Sequence, residues 1–218
     1  MRNLYAILDL PTIAQVAGHE AVADFVTLAA QALFASNIST LQLRAKDCSP
    51  QEVLRFAEAI KSGRDVAGSA ACKLILNDRP DLVELAGFDG CHLGQQDLSL
   101  EGARRILARP KILGLSTHSA AQIEAANTTD ADYVAIGPIF ATSSKMNPDP
   151  VVGLDGFARL RKLTSKPVVA IGGITHVNFR AVLDAGADSV AVIGDLYRSC
   201  TTANFAERVA ENLADFLE

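Results

Sequence analysis

The stretches Leu74-Ile-Leu-Asn-Asp78 and Gly90-Cys-His-Leu-Gly-Gln-Gln-Asp97 decide the predicted fold. Each is a short apolar run that ends in polar and acidic residues, which is typical of a parallel strand that is buried on both faces. Because unpaired carboxylates are costly to bury, we expect Asp78 and Asp97 to lie at equivalent strand ends. Two oxygen ligands at one edge suit a divalent cation, and we predict Mg²⁺ shared with a phosphate substrate.

The same kind of short apolar run recurs along the whole chain. Stretches in which apolar residues have helical spacing separate the runs, and this strict alternation predicts right-handed βαβ units in a parallel sheet. The eight runs are Leu4–Leu8, Leu41–Leu43, Leu74–Leu76, Cys91–Leu93, Ile112–Leu115, Tyr133–Ile136, Val168–Ile171 and Val190–Ile193.

Helices are predicted between these strands. One start is marked clearly, with Ser49 as N-cap, Pro50 at the first helical position and Glu52 in the first turn. The predicted helices are Glu20–Ala35, Pro50–Ile60, Pro80–Ala86, a segment that starts at Ser99, Ala120–Ala126 after Ser119, Leu154–Leu163, Thr175–Ala185 and Asn204–Leu217.

Eight such units predict an α/β fold, a (β/α)₈ TIM barrel, in a single catalytic domain over residues 1–218. The alternative is a doubly wound open sheet. No G-x-G-x-x-G follows the first strand, where a dinucleotide-binding fold would place it. No linker or low-complexity tract divides the chain, so we favour one barrel.

The composition excludes several classes of function. The net charge is −5, Trp is absent and no Lys/Arg-rich run occurs, so we expect no nucleic-acid partner. No apolar run approaches the ~20 residues that a membrane helix needs, and the early Asp9 argues against a signal peptide. The four cysteines are widely scattered, and Cys91 reads as a buried thiol in a strand. We therefore predict a cytoplasmic protein with reduced thiols and without a membrane partner.

In a barrel of this kind the active site lies at the carboxyl ends of the strands. Gln42, Arg44 and Lys46 alternate along the second strand and share one direction. Two cations and an amide aimed the same way predict a binding site for an anionic oxygen cluster. The alternative is a surface ion-pair set with Asp47.

The next three strands add polar residues to the same rim. Asn77, Asp78 and Asp97 follow the third and fourth strands, although each carboxylate alone would also fit a helix N-cap. Ser116 follows the fifth strand and can donate to a phosphate or hold a heterocycle. The nearby His118 fits either an acid/base role or a structural one.

A long polar loop, residues 137–153, follows the sixth strand and contains Thr142, Ser143, Ser144 and Lys145. Such loops are typical of lids and binding loops, and the alternative is a simple connector. Gly173 and Gly194 end the last two strands, where bare backbone at the start of a following helix would accept a phosphate. The rim thus predicts two anion sites, one for a diphosphate with metal and one for a monophosphate.

At this point the sequence resembles the thiamine phosphate synthase family. Six strings in the family's order carry the resemblance and cover nearly the whole chain. They are Gln42–Lys46, Leu76–Asp78, Gly90–Leu98, Gly114–His118, Asp132–Pro138 continued through Lys145, and Ala170–Ile174.

The resemblance implies a (β/α)₈ transferase with Mg²⁺ as cofactor. It would join 4-amino-2-methyl-5-hydroxymethylpyrimidine diphosphate to 4-methyl-5-(2-phosphoethyl)thiazole, or the carboxylated form of that thiazole, and release pyrophosphate by a dissociative mechanism. Asp78 and Asp97 would bind the metal, and Arg44, Lys46 and Lys145 would be catalytic. The pyrimidine diphosphate would contact Gln42, Leu43, Arg44, Ala45, Lys46, Asn77, Ser116 and Lys145. The thiazole phosphate would contact Thr142, Ser143, Ser144, Gly173, Ile193 and Gly194.

Two positions depart from the family pattern. Ser144 stands where a second Thr commonly precedes the loop Lys, and Gly194 stands where the eighth strand commonly ends in Ser. Two other functions stay open at this stage. One is a thiazole tautomerase that uses His118 without a metal, and the other is a non-catalytic barrel that binds thiamine intermediates. The sequence also leaves a homo-oligomer possible.

Overall fold

The structure, a computed structural model, describes residues 4–36, 38–69, 71–142, 144 and 149–217. Eight parallel strands pair in chain order, and the last pairs with the first to close the barrel. The strands are β1 Leu4–Asp9, β2 Thr40–Arg44, β3 Lys73–Asn77, β4 Gly90–Leu93, β5 Ile112–Thr117, β6 Tyr133–Ile136, β7 Val168–Ile171 and β8 Ser189–Val192. The predicted (β/α)₈ barrel is confirmed.

Within the described residues, α-helices connect the strands and surround the barrel. They are α1 Leu10–Ala17, α2 Val22–Ala35, α3 Pro50–Ala67, α4 Val83–Ala86, α5 Leu100–Ile106, α6 Ala120–Asn127, α7 Gly153–Arg161, α8 Phe179–Asp184 and α9 Phe205–Ala214. Short 3₁₀ helices cover His19–Ala21, Pro80–Leu82 and Gly194–Tyr197.

The sequence prediction missed α1 and misplaced the start of α8. Helix α1 begins directly after β1, where the Asp9 side chain accepts a hydrogen bond from the Thr12 backbone N–H at 3.2 Å. The sequence analysis used Asp9 only as evidence against a signal peptide, so its capping role went unrecognised. Helix α8 begins at Phe179 rather than at Thr175.

The predicted N-cap Ser49 is confirmed, and serine side chains also cap the helices predicted to start at Ser99 and after Ser119. Ser49 and Glu52 form a reciprocal capping box at the start of α3, with Pro50 as its first residue. The side chains of Ser99 and Ser119 accept hydrogen bonds from the first turns of α5 and α6. Each cap satisfies backbone N–H groups that have no partner within the helix.

The strands present one set of side chains to the helices and the alternate set to the barrel interior. Leu43, Cys91 and Leu93 are fully buried in the core between strands and helices. A separate interior cluster includes Tyr5, Tyr133 and Ile75. Side chains therefore fill the barrel, and its open end is the rim of loops at the carboxyl ends of the strands.

Gly114 makes room for an aromatic ring inside the barrel. A Cβ atom at this position would lie 2.1 Å from Cζ of Tyr133, which is closer than any real Cβ contact. The rings of Tyr133 and Tyr5 meet at a centroid distance of 6.0 Å and an interplanar angle of 54°. The missing side chain of β5 thus allows two phenols from β1 and β6 to meet across the barrel.

No helix in the described part of the chain is long and apolar enough to cross a membrane. The cytoplasmic location stays a prediction.

Gly114→Ala should lower the stability of the barrel, because the new methyl group forces the Tyr133 ring to shift within a packed interior. We expect a loss of about 1–3 kcal/mol in the free energy of unfolding, measured by urea denaturation. Gly194→Ala is the matched control, since a Cβ there meets no atom within 4 Å and should change stability by about 0.5 kcal/mol or less. Equal effects of the two substitutions would contradict this packing account.

Candidate active site

At the carboxyl end of the barrel, Arg44 is held by a buried carboxylate. Arg44 and Asp9 are register partners at the ends of β2 and β1. The Arg44 guanidinium forms an ion pair and hydrogen bond with Asp9, whose side chain is 2% exposed. Asp9 also accepts a hydrogen bond from the Thr12 hydroxyl at 2.6 Å. These contacts fix one side of the guanidinium and leave its other N–H donors for an anion at the rim.

Lys46, Asp78 and Asp97 form a charged cluster beside this pair. The Lys46 ammonium contacts the Asp78 carboxylate, whose side chain is 18% exposed. Burial raises the pKa of Asp78, and the neighbouring Asp97 carboxylate raises it further, whereas Lys46 lowers it. The carboxylates predicted from two separate strand ends therefore lie close enough for Asp97 to oppose the charge on Asp78.

The cluster is not explained by helix capping. Neither aspartate caps a helix: α5 is capped by Ser99, and the 3₁₀ helix Pro80–Leu82 has no side-chain cap. Instead, Asp97 Oδ2 accepts a hydrogen bond from the Gly94 backbone N–H at 2.7 Å. Asp78 adopts a left-handed backbone with φ of 62°, which is uncommon for a residue other than glycine. Such strain is found preferentially at functional sites.

The structure does not show the alternative interpretation of β2, in which its cations pair with Asp47 at the surface. Asp47 forms no ion pair with Arg44 or Lys46, whose carboxylate partners are Asp9 and Asp78. Within the described residues, no group of three or more His, Cys, Asp or Glu side chains could hold a metal ion. A cation between Asp78 and Asp97 would therefore complete its coordination with substrate oxygens and water, as Mg²⁺ commonly does.

The other residues predicted to bind the diphosphate substrate fall into two groups. Gln42 is 3% exposed and hydrogen-bonds inside the barrel, and Asn77 ends β3 as the register partner of His92. Leu43 and Ala45 instead pack on the core between strands and helices. The Leu43 side chain is fully buried there, so only its backbone is placed to meet a ligand.

Ser116 is held by a buried histidine from the neighbouring strand. His92 Nε2 lies 2.8 Å from Ser116 Oγ, and His92 Nδ1 lies 2.9 Å from the Tyr133 hydroxyl oxygen. Burial lowers the pKa of His92 to about 4, against a smaller opposing effect of the Asp97 charge. The imidazole is therefore neutral at physiological pH. Gln95 also donates to the Ser116 carbonyl at 2.6 Å.

The loop after β6 contacts the end of β7. The Ser144 N–H lies 3.3 Å from Thr142 Oγ1. A Cβ atom at Gly173 would lie 2.4 Å from the Ala141 carbonyl oxygen, and Gly173 has a φ of 64°. Only glycine fits there, so the loop with Thr142 packs directly on the bare backbone that follows β7. The predicted residues Ser143 and Lys145 lie outside the described residues.

The end of β8 brings the last two predicted residues to the same rim. Ile193 packs against the interior cluster, and Gly194 begins the 3₁₀ helix Gly194–Tyr197. We predicted that both glycines precede helix N-termini. This is wrong for Gly173, because α8 does not start until Phe179.

His118, which the sequence left between an acid/base and a structural role, is tied to the same loop. Its Nδ1 lies 2.6 Å from the Gly137 carbonyl, and its Nε2 lies 3.3 Å from Asp149 Oδ2. These contacts connect the end of β5 to both ends of the loop after β6. They favour a structural role for His118.

Sequence reasoning missed Asp9 as the partner of Arg44, and it missed Tyr5, His92 and Tyr133 altogether. Period-two alternation could have indicated the histidine, because Cys91 and His92 are neighbours in one strand and must face opposite sides of it. Nothing local in the sequence indicates that residues so far apart in the chain meet inside the barrel.

The closed barrel and its charged rim place the protein among the (β/α)₈ barrel enzymes that carry their site at the carboxyl ends of the strands. A family model described as thiamine monophosphate synthase matches residues 13–196. The chain belongs to this family.

Individual proteins agree with the family match. The chain is 51% identical over 194 residues to the thiamine-phosphate synthase of Koribacter versatilis, covering 89% of this chain and 88% of that one. It is 39% identical over 191 residues to the thiamine-phosphate synthase of Methanoregula boonei, covering 88% and 83%. The solved thiamine phosphate pyrophosphorylase of Pyrococcus furiosus superposes with a TM-score of 0.76 at 26% identity, covering 100% and 98%.

The buried His92 should make the metal-free protein less stable as the pH falls from 6.5 to 4. The unfolded chain binds a proton at the ordinary pKa of about 6.5, whereas the folded chain binds it only near pH 4. Between these values the unfolded state holds more protons, so stability is present above pH 6.5 and is lost below it. The loss between pH 7.5 and pH 4.5 should be about 2.5 kcal/mol.

Urea unfolding at the two pH values gives the change in the free energy of unfolding for the wild type and for His92→Gln. The difference between these two changes is the contribution of His92. His19→Gln is the control, since His19 is exposed and should keep the wild-type pH dependence. The account is contradicted if His92→Gln and His19→Gln lose the same stability on acidification.

Proposed function

We propose that this protein condenses 4-amino-2-methyl-5-hydroxymethylpyrimidine diphosphate with 4-methyl-5-(2-phosphoethyl)thiazole or its carboxylated form. The products would be thiamine phosphate and pyrophosphate. Membership of the family makes the chain a transferase that releases pyrophosphate. The specific substrates, the magnesium ion and the order of bond breaking are our proposal.

The observation that carries the proposal is the meeting of two cations and two carboxylates on one rim. Arg44 ends β2 and Lys46 follows it, while Asp78 and Asp97 follow β3 and β4. A diphosphate needs several positive charges and hydrogen-bond donors within a few ångströms, and Arg and Lys supply both. The two acidic residues would repel such a substrate unless a cation lay between them.

The residues present fit a magnesium ion. The raised pKa of Asp78, which follows from burial and from the neighbouring Asp97 carboxylate, indicates two carboxylates that oppose each other's charge. When bound, Mg²⁺ would neutralise these carboxylates and act as a Lewis acid toward the diphosphate oxygens. Lys46, which contacts Asp78 in this structure, would then turn toward the diphosphate.

The proposed chemistry needs charge stabilisation rather than a strong base. The bond between the pyrimidine methylene carbon and the diphosphate oxygen breaks first, and its electron pair leaves with pyrophosphate. Arg44, Lys46 and Lys145 would stabilise the charge that develops on the leaving group. The lone pair of the thiazole nitrogen then forms the new bond to the methylene cation.

The second substrate would bind beside the first. Thr142 and Gly173 lie together through the contact between their segments, and Gly194 lies on the neighbouring strand end. Hydroxyls and backbone N–H groups suit a phosphate monoester, and we extend this site to Ser143, Ser144 and Ile193 by the family resemblance. Holding both rings at one rim aligns the thiazole nitrogen with the reacting carbon.

Lys46→Gln should lower kcat/KM for the pyrimidine diphosphate by about 100-fold, because one donor to the leaving group is lost. Lys73→Gln is a matched control: Lys73 also pairs with an aspartate, but it starts β3 at the opposite end of the barrel. It should retain activity within about twofold. Thiamine phosphate formation with both phosphorylated substrates and Mg²⁺ is the assay, and a wild-type protein that forms no product would refute the proposed function.

Asp97→Asn should remove stabilisation by magnesium without weakening the metal-free fold. In the wild type, Mg²⁺ with pyrophosphate should raise Tm, since a ligand that binds only the folded state stabilises it. The variant should show no such rise, while its metal-free Tm should equal or exceed that of the wild type because the charge opposing Asp78 is gone. Asp81→Asn, whose carboxylate pairs with Arg79, should keep the wild-type response. An Asp97→Asn variant that still responds would contradict the metal assignment.

A further inference from the structure

A continuous series of hydrogen bonds, called the relay below, crosses the barrel interior from β2 to β5. Gln42 Nε2 lies 2.9 Å from the Tyr5 hydroxyl oxygen, and the hydroxyls of Tyr5 and Tyr133 lie 2.9 Å apart. Tyr133 is in turn 2.9 Å from His92 Nδ1, and His92 Nε2 is 2.8 Å from Ser116 Oγ. The first four residues are buried, and Ser116 is partly exposed at the rim.

The Gln42 amide determines which atom donates in each hydrogen bond of the relay. The Gln42 amide nitrogen donates to Tyr5, so the single hydroxyl proton of Tyr5 is left for Tyr133. Tyr133 passes its own proton toward His92 Nδ1, which therefore accepts. The neutral imidazole then carries its proton on Nε2 and donates it to Ser116.

These directions determine how Ser116, at the exposed end of the relay, is hydrogen-bonded. Ser116 Oγ accepts from His92, and His92 is its only side-chain partner among the described residues. Its own hydroxyl proton is therefore available to a ligand at the rim. If the relay ran the other way, Ser116 would donate to His92 and present only an acceptor. The relay thus leaves Ser116 with a proton that it can donate.

We propose that Tyr5, Tyr133 and His92 are positioning residues that fix Ser116 as a hydrogen-bond donor to an acceptor nitrogen of the substrate's pyrimidine ring. This inference rests on the proposed function and adds a specificity device to it. The burial of the relay supports this role. Buried polar groups are tolerated only when each has a hydrogen-bond partner. In the relay every hydrogen bond is donated in the same direction, toward Ser116. A relay that served only to fill the barrel would need no polar atoms.

A spectroscopic test reads the direction without any enzymatic assay. Proton–nitrogen correlation spectra of ¹⁵N-histidine-labelled protein at pH 7.5 should show His92 neutral, with its proton on Nε2. Comparison with His92→Gln assigns its signals among those of the four histidines. A wild-type His92 protonated on Nδ1 would overturn the proposal.

Kinetics test the consequence for binding. Tyr133→Phe removes the hydroxyl that sets the histidine tautomer, and it should raise KM for the pyrimidine diphosphate about tenfold. KM for the thiazole phosphate should change by less than twofold, which a general loss of structure would not produce. Tyr197→Phe is the matched control, because Tyr197 is also buried but its hydroxyl bonds to the Ile7 carbonyl at 3.3 Å, outside the relay.

Variants at the histidine separate polarity from packing. His92→Leu should show the same selective rise in KM as Tyr133→Phe, whereas His92→Gln keeps an amide donor for Ser116 and should recover most of the loss. Each variant is first checked for a cooperative thermal transition. A folded Tyr133→Phe with unchanged KM, or with equal shifts in both KM values, would overturn the relay. A wild-type protein that makes no thiamine phosphate would instead refute the proposed function.

Discussion

Pairing of β8 with β1 closes the sheet, and this closure is the constraint on which the site depends. In a closed parallel barrel every strand ends on the same rim, so residues far apart in sequence become neighbours. Asp9 and Arg44 meet because β1 and β2 end in register. Asp78 and Asp97 meet because β3 and β4 end side by side. The charged rim is thus a consequence of strand order rather than of any local motif.

The rim contains energetically unfavourable features that a structural role alone does not explain. Asp78 has a strained backbone and a carboxylate whose pKa is raised by burial and by Asp97. Natural proteins keep such penalties mainly where function requires them. Within the barrel, polar atoms of two tyrosines and a histidine replace an all-apolar filling. The two features lie on adjoining strands, since Asp78 donates its backbone N–H to the carbonyl of His92 at 2.8 Å.

The fold was predictable because its signals are local and repeated. Short apolar strands, the capping box at Ser49 and the serine caps of α5 and α6 recur at the right intervals, and all appear in the structure. Helix α1 was missed because Asp9, which caps it, was not recognised as a helix cap in the sequence. The start of α8 was misplaced because the segment from Thr175 begins as a turn, where Asn178 accepts the Thr175 N–H.

The candidate site was predictable only in part. Counting strands brought Arg44, Lys46, Asp78 and Asp97 to one rim. In the structure Lys46 contacts Asp78, whose pKa Asp97 raises, and Arg44 pairs with Asp9 on the neighbouring strand end. The interior relay depends on contacts across the barrel between strands that are not neighbours, such as β1 with β6, so no spacing in the sequence indicates it. Leu43 lies inside a family string, but its side chain packs in the outer core, so its predicted contact with the substrate is left to its backbone.

The central proposal is that Asp78 and Asp97 would together hold a magnesium ion that binds the diphosphate. A crystal structure of the protein with Mg²⁺ and pyrophosphate tests this most directly. The account predicts one ion with oxygen ligands from both carboxylates and from pyrophosphate, at distances of about 2.1 Å, and Lys46 moved from Asp78 toward the anion. Pyrophosphate bound at Arg44 with no ion between the two aspartates, and with Lys46 still paired to Asp78, would contradict it.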